Sequence, residues 1–195
     1  KAWQADMVPL VPVAVNASPR QFEQGRLAQQ LVKITDEYSV EPSLIQIEIT
    51  ETALMKHIEG HGNTLQALRD IGVRVSIDDF GTGYSSLSYL KHLPIDCLKI
   101  DRSFVHDMVS DTRDAAIVSA VVGIARSLGI RVVAEGVEST QQVEQLRALG
   151  CDAAQGYLFH RPMSGERVRA LLEQLARQPA HSETLRLRVL RWVGA

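Results

Sequence analysis

The sequence predicts an α/β fold in which a parallel sheet is wrapped by helices, of the closed (β/α)8 barrel type. Three observations predict it. Strand-like and helix-like stretches alternate six times with short connections, as parallel strands joined by crossover helices require. No GxGxxG follows the first strand, so an open dinucleotide-binding sheet loses its main support. Each of the six predicted strands also delivers an oxygen or amine donor near its end, and in a barrel those ends open on one face.

The elements read as follows. Val11 to Asn16 is a short apolar strand, Ser18-Pro19 opens a turn, and a helix runs from about Glu23 to Tyr38 with Leu27, Leu31, Val32 and Ile34 at helical spacing. Pro42 interrupts, and Leu44 to Glu51 alternates as a second strand. A helix from about Gly62 to Asp70 buries Leu65 and Leu68 and stops at Gly72. Val73 to Asp78 is a third, β-branched strand that ends in adjacent carboxylates, Asp78 and Asp79, and a turn with two glycines. A short helix near Ser85 to Lys91 ends before Pro94. Ile95 to Asp101 is a fourth strand that places a lysine, Lys99, among apolar neighbours. The most apolar helix spans about Thr112 to Leu128 and breaks at Gly129. Arg131 to Glu138 gives a fifth strand with two more carboxylates, and Ser139 with Gln142 makes a capping box for a helix buried through Val143, Leu146 and Leu149. Ala153 to Tyr157 is a sixth strand, and Ser164 caps a last helix to about Arg177. Residues 1–180 read as one barrel domain, and residues 181–195 as a C-terminal helix or tail.

With 195 residues and 45% hydrophobic content the chain can bury a large core. A formal charge of -2 argues against a DNA or RNA polymer or an acidic membrane as partner, so an anionic ligand must be met locally. No run approaches the roughly 20 apolar residues of a membrane span, and no signal peptide is visible. Cys97 and Cys151 lie in apolar settings far apart, which reads as reduced core thiols in a cytoplasmic protein. The chain opens on Lys1 rather than Met, as expected of a piece of something longer.

Adjacent residues on a strand point to opposite faces, so Asp78 and Asp79 reach one site only where the strand ends or kinks. Such a pair suits two divalent cations; the bland alternative is an Asp-rich turn capping the next helix. The strand ends together supply Asn16, Glu48, Asp78, Asp79, Lys99, Asp101, Glu135, Glu138 and Gln155. A single polar strand end is often only a helix cap, but six in a row with a lysine inside a strand is not explained by capping. Oxygen-only ligands select Mg²⁺ or Mn²⁺ over zinc, and crowded carboxylates repel unless cations neutralise them. Two such ions suit phosphodiester hydrolysis, with Lys99 orienting water or offsetting phosphoryl charge and Glu135 as ligand or proton acceptor.

Val15-Asn16-Ala17-Ser18, Ile47-Glu48-Ile49-Thr50-Glu51, Asp78-Asp79-Phe80-Gly81-Thr82-Gly83, Lys99-Ile100-Asp101, Ala134-Glu135-Gly136-Val137-Glu138 and Gln155-Gly156-Tyr157 resemble the successive motifs of the EAL-domain family, in order, from Val11 to Pro162. The family comprises bacterial phosphodiesterases that open cyclic di-GMP to linear pGpG. The resemblance implies a TIM-like barrel with Asn16, Glu48, Asp78, Asp79 and Glu135 as ligands of two Mg²⁺ or Mn²⁺ ions, Asp78 bridging them. It implies that Lys99 acts on the nucleophilic water, that Gln155 and Gly156 line the substrate site, and that Glu51 braces the loop after Asp79. Asp101 and Glu138 organise neighbouring strand ends. It further implies a homodimer and upstream sensor or GGDEF-type domains. Family domains carry two strands before the one ending at Asn16, including the Glu-Ala-Leu strand that supplies a further metal ligand, and no Glu-Ala-Leu occurs here. The alternative expectation is therefore an inactive domain that binds cyclic di-GMP without cutting it. On the phosphodiesterase expectation, substituting Lys99 or Glu135 abolishes hydrolysis and spares the fold.

Other signals carry less. Asp79-Phe80-Gly81 matches a kinase metal-binding triplet, but no Gly-rich loop or His-Arg-Asp accompanies it. His57 and His61 stand four apart without a third ligand and read as surface residues. Phe159 and Pro162 would border a guanine or pack in the core. The tail from Glu183 to Val193 alternates leucines with arginines, as in a helix packed on the barrel with a basic edge or one facing a partner or membrane.

Overall fold

A computed structural model describes residues 2–59, 63–83 and 87–177; the C-terminal tail and His61 fall outside the described residues, as does the side chain of His57. The elements run α1 (Ala2–Ala5), β1 (Val13–Asn16), α2 (Pro19–Glu23), α3 (Leu27–Tyr38), β2 (Ile45–Thr50), α4 (Glu51–Glu59), α5 (Thr64–Asp70), β3 (Arg74–Phe80) and α6 (Leu87–Leu90). There follow β4 (Cys97–Ile100), α7 (Arg102–Asp107), α8 (Thr112–Leu128), β5 (Arg131–Ala134), α9 (Thr140–Leu149), β6 (Ala153–Ala154) and α10 (Gly165–Ala176).

All six strands pair in parallel in the order β1-β2-β3-β4-β5-β6. Each strand lies beside its successor, which is how a barrel is wound; a doubly wound sheet reverses its order partway. No pairing joins β1 to β6 among the described residues, so the expected eight-stranded closure is seen as a half-barrel of six. The inner strands are buried almost without interruption: Ile49, Val75, Ile77, Leu98 and Ile100 are each 0–1% exposed. Continuous burial rather than alternation is what a parallel sheet covered on both faces requires.

Local chemistry sets the boundaries. Gly25, at φ +65, splits the single helix expected after β1 into α2 and α3. In α3 the buried positions are Leu27, Ala28 and Thr35, while Val32 and Ile34 lie on the solvent side. The capping box of Ser139 and Gln142 forms as the sequence indicates, and Gly129 and Gly150 end α8 and α9 in the left-handed conformation. Ser164 precedes α10 but makes no side-chain cap bond. Two aspartates repeat one device at the strand starts. Asp96, just before β4, accepts a hydrogen bond from the Val75 amide, and Asp152, before β6, accepts one from Val132, both at 2.8 Å.

Candidate active site at the strand C-terminal ends

The third strand shows how two neighbouring carboxylates can share a site. Its register against β4 slips between Ile77 and Phe80, and Asp79 takes a left-handed backbone at φ 54. A bulge of this kind re-aims side chains that a regular strand would send apart. One oxygen each from Asp78, Asp79 and Glu135 lie within 4.8 Å of one another. Glu135 follows β5 directly, its amide extending the ladder to the Ile100 carbonyl at 3.1 Å.

Lys99 stands at the centre. It is 1% exposed, and its Nζ lies 2.9 Å from Glu48 Oε1, 2.8 Å from Asp78 Oδ1 and 2.5 Å from Glu135 Oε1. Burial works against its charge, but Glu135, Glu48 and Asp78 together outweigh burial and hold the ammonium above its usual pKa. A lysine in an apolar strand is thus explained by three carboxylates on the neighbouring strand ends. Gln155 Nε2 donates to the same Glu135 Oε1 at 2.6 Å, so Glu135 is oriented from two sides. Among the described residues, four carboxyl groups, of Glu48, Asp78, Asp79 and Glu135, stand against the single ammonium of Lys99, a formal excess of negative charge in a mostly buried site. An all-oxygen donor set with that excess fits hard divalent cations such as Mg²⁺ or Mn²⁺, held by Asp78, Asp79 and Glu135.

The turn after β3 is tied down by Glu51, the first residue of α4, which is 2% exposed. Its Oε2 accepts from the Gly81 amide at 2.9 Å. A Cβ on Gly83 would come within 2.7 Å of Glu51 Oε1, so the second glycine of the turn makes room for that carboxylate. Gly156 is required for another reason: a Cβ there would lie 2.1 Å from the Val137 carbonyl oxygen, where the segments after β5 and β6 cross.

The remaining candidates are placed less centrally. Asn16 ends β1 opposite Glu48 in register, with an exposed side chain. Asp101 is the N-cap of α7, its Oδ1 accepting from the Ser103 amide at 3.0 Å. Partial burial raises its pKa, but the Ser103 hydroxyl and nearby amides overcome this and hold it below the usual carboxylate value. Glu138 is exposed, and its amide donates to Gln142 Oε1 at 2.8 Å. Glu135, Glu138, Gln155, Gly156, Phe159 and Pro162 line one cavity of about 870 Å³, and Phe159 also packs against the core. Arg102, His106 and Arg161 join that lining, with the Arg161 guanidinium stacked 4.7 Å from the Tyr157 ring centroid. Sequence reasoning missed these cations, which sit on loops and short helices where periodicity is silent. Only the adjacency of Arg161 to Gln155-Gly156 could have signalled one of them. Cys97 and Cys151 are buried free thiols, and no helix among the described residues is long and apolar enough to cross a membrane.

Comparison with known proteins agrees with this fold. The EAL domain profile matches residues 1–162. The bifunctional diguanylate cyclase/cyclic di-GMP phosphodiesterase MucR of Pseudomonas aeruginosa is 46% identical over 158 residues, 81% of this chain and 23% of MucR. The chain spans about a fifth of the length of the curated relatives it matches. A PaMucR phosphodiesterase structure in complex with c-di-GMP superposes with a TM-score of 0.77 at 46% identity, covering 80% of this chain and 64% of that one. The EAL domain of Mycobacterium smegmatis DcpA gives a TM-score of 0.84 at 40% identity over 89% of this chain and 78% of that one. Klebsiella pneumoniae BlrP1, in a manganese and cyclic di-GMP complex, gives 0.67 at 34% identity over 79% and 40%. The chain belongs to the EAL domain family.

Proposed function

We propose that the chain is the catalytic part of a metal-dependent phosphodiesterase that hydrolyses cyclic di-GMP to linear pGpG. The observation that carries this reading is the buried Lys99 held between Glu48, Asp78 and Glu135, beside an Asp78-Asp79-Glu135 oxygen cluster that keeps an excess of negative charge. Relatives support it: PaMucR is a phosphodiesterase solved with c-di-GMP, and BlrP1 was solved with manganese and the same dinucleotide.

Asn16, Glu48, Asp78, Asp79 and Glu135 would hold two Mg²⁺ or Mn²⁺ ions. Bound there, the ions would supply Lewis-acid polarisation of the phosphoryl group and a more acidic water. Hydrolysis adds water across one P–O3′ bond: the water oxygen joins phosphorus, and the leaving 3′ oxygen takes a proton, which yields a 5′-phosphorylated linear product. Lys99, whose Nζ lies among Glu48, Asp78 and Glu135, would position the water and offset charge on the phosphoryl oxygens. Proton acceptance would fall to a carboxylate, and the contacts of Glu135 with Lys99 and Gln155 support it in that role. Gln155, Gly156, Phe159 and Pro162 border the cavity that receives the dinucleotide, and Glu51 keeps the turn after Asp79 in place. A homodimer, upstream sensor or GGDEF-type domains, and a cytoplasmic setting belong to the same proposal; the bifunctional MucR, more than four times the matched length, supports the domain context.

The test is product analysis. Residues 1–195, and any longer chain that contains them, are incubated with cyclic di-GMP and Mn²⁺ or Mg²⁺, and pGpG is resolved chromatographically. Glu135→Gln should abolish its formation; full turnover by that variant would end the mechanism. A second reading, binding without cutting, is favoured by one observation: Lys99 already neutralises part of the carboxylate cluster without any metal. Saturable binding of cyclic di-GMP with no pGpG under either metal, in both chains, would establish it instead.

A further inference from the structure

On the opposite end of the sheet lies a second cleft, of about 640 Å³, lined where the strands begin. Arg74 opens β3, Arg131 opens β5, Arg69 lies in the last turn of α5 and Lys91 follows α6. These four cations come from four separate segments and converge around a mostly polar cleft, over the buried side chains of Leu90, Ile95 and Ile130. Asp96 is the one acid in the lining, and its Oδ2 is engaged by the Val75 amide, so the cleft carries a net charge of +3 in a chain whose total is -2. Among the described residues Lys99, Arg113 and Arg169 make ion pairs with carboxylates, and these four make none. Cations near helix C-termini ordinarily answer the helix dipole, which accounts for Arg69; Arg74 and Arg131 sit on strands and have no such duty.

Like charges gathered without counter-ions are mutually unfavourable, and a multiply charged anion relieves that repulsion. Guanidinium groups match phosphate oxygens in geometry as well as charge. The cleft volume falls in the range of small-molecule sites and leaves room for an organic group beside a diphosphate. We propose that this face binds an organic di- or polyphosphate of the nucleoside diphosphate class, at a site separate from the carboxylate cluster.

Calorimetry on residues 1–195 in low salt with EDTA tests it, using ADP and inorganic pyrophosphate as probes. One molecule should bind per chain, ADP more tightly than pyrophosphate. The double variant Lys91→Ala/Arg131→Ala, both exposed positions, should weaken binding by roughly tenfold for each cation removed while leaving the far-ultraviolet spectrum unchanged. The charge-matched variant Arg20→Ala/Lys33→Ala should bind as the parent does. No binding, equal affinity for ADP and pyrophosphate, or equal weakening in both double variants would overturn the proposal. So would capture on phosphatidylglycerol vesicles without pyrophosphate binding, which would make the face a membrane contact.

Discussion

Replacing Lys99 by Met keeps the volume of the side chain and removes one charge, and the structure fixes what that removal exposes. Three carboxylates within 2.5–2.9 Å of Nζ lose this one cation at once, and the formal negative charge around it goes up by one. Breaking a buried ion pair by deleting one member costs about 3–5 kcal/mol. This revises the expectation that Lys99 can be changed at no cost to the fold. If the cluster holds divalent cations, Mn²⁺ should take over the neutralising role, and the stability gained from it should be greater in Lys99→Met than in the parent. Urea unfolding followed by circular dichroism, in EDTA and in Mn²⁺, measures all four quantities. A variant as stable as the parent in EDTA would refute the electrostatic argument, and a deficit that Mn²⁺ leaves untouched would refute the cation site.

Three further outcomes are expected. Gly156→Ala would drive a Cβ into the Val137 backbone, which cannot swing aside, and should destabilise the chain by more than about 3 kcal/mol, read as a lowered urea midpoint. Glu51→Ala removes the acceptor of the Gly81 amide from a buried position and should cost about 1–3 kcal/mol, whereas Glu51→Gln, which keeps an oxygen, should cost less in the same assay. Burial pushes the Cys97 thiol up to about 12 and Cys151 up to about 11 from 9.0. The native state therefore holds those protons more tightly than the unfolded chain. Stability from this source is complete below pH 9 and is lost as pH rises through 9 to 12, and Cys97→Ala should flatten that decline in a pH series of unfolding curves.

Much of the fold was legible because strand and helix alternate with regular punctuation, and the sequential strand order follows from short connections alone. The need for a kink at Asp78-Asp79 could also be argued in advance, since a regular strand cannot aim both side chains one way. Lys99 was visible as an anomaly, but its three partners come from β2, β3 and β5, and only the register across the sheet selects them. Asp101 was ambiguous in principle. It follows Lys99 closely enough to look like a site residue, yet it caps α7, a helix too short to announce itself by periodicity. Val32 and Ile34 misled because helical spacing reports a stripe and not which side of the stripe is covered. The basic cleft was invisible, as its four cations lie between positions 69 and 131 with nothing in the local pattern to link them.

The left-handed backbone of Asp79 also governs how its charge can be studied. Aspartate and asparagine tolerate that conformation better than other residues with a Cβ, while alanine there would add conformational strain of about 1–2 kcal/mol to whatever the lost carboxylate costs. An alanine scan would therefore confound two effects at this one position. Asparagine is the clean electrostatic probe, and glycine the matching one for the backbone.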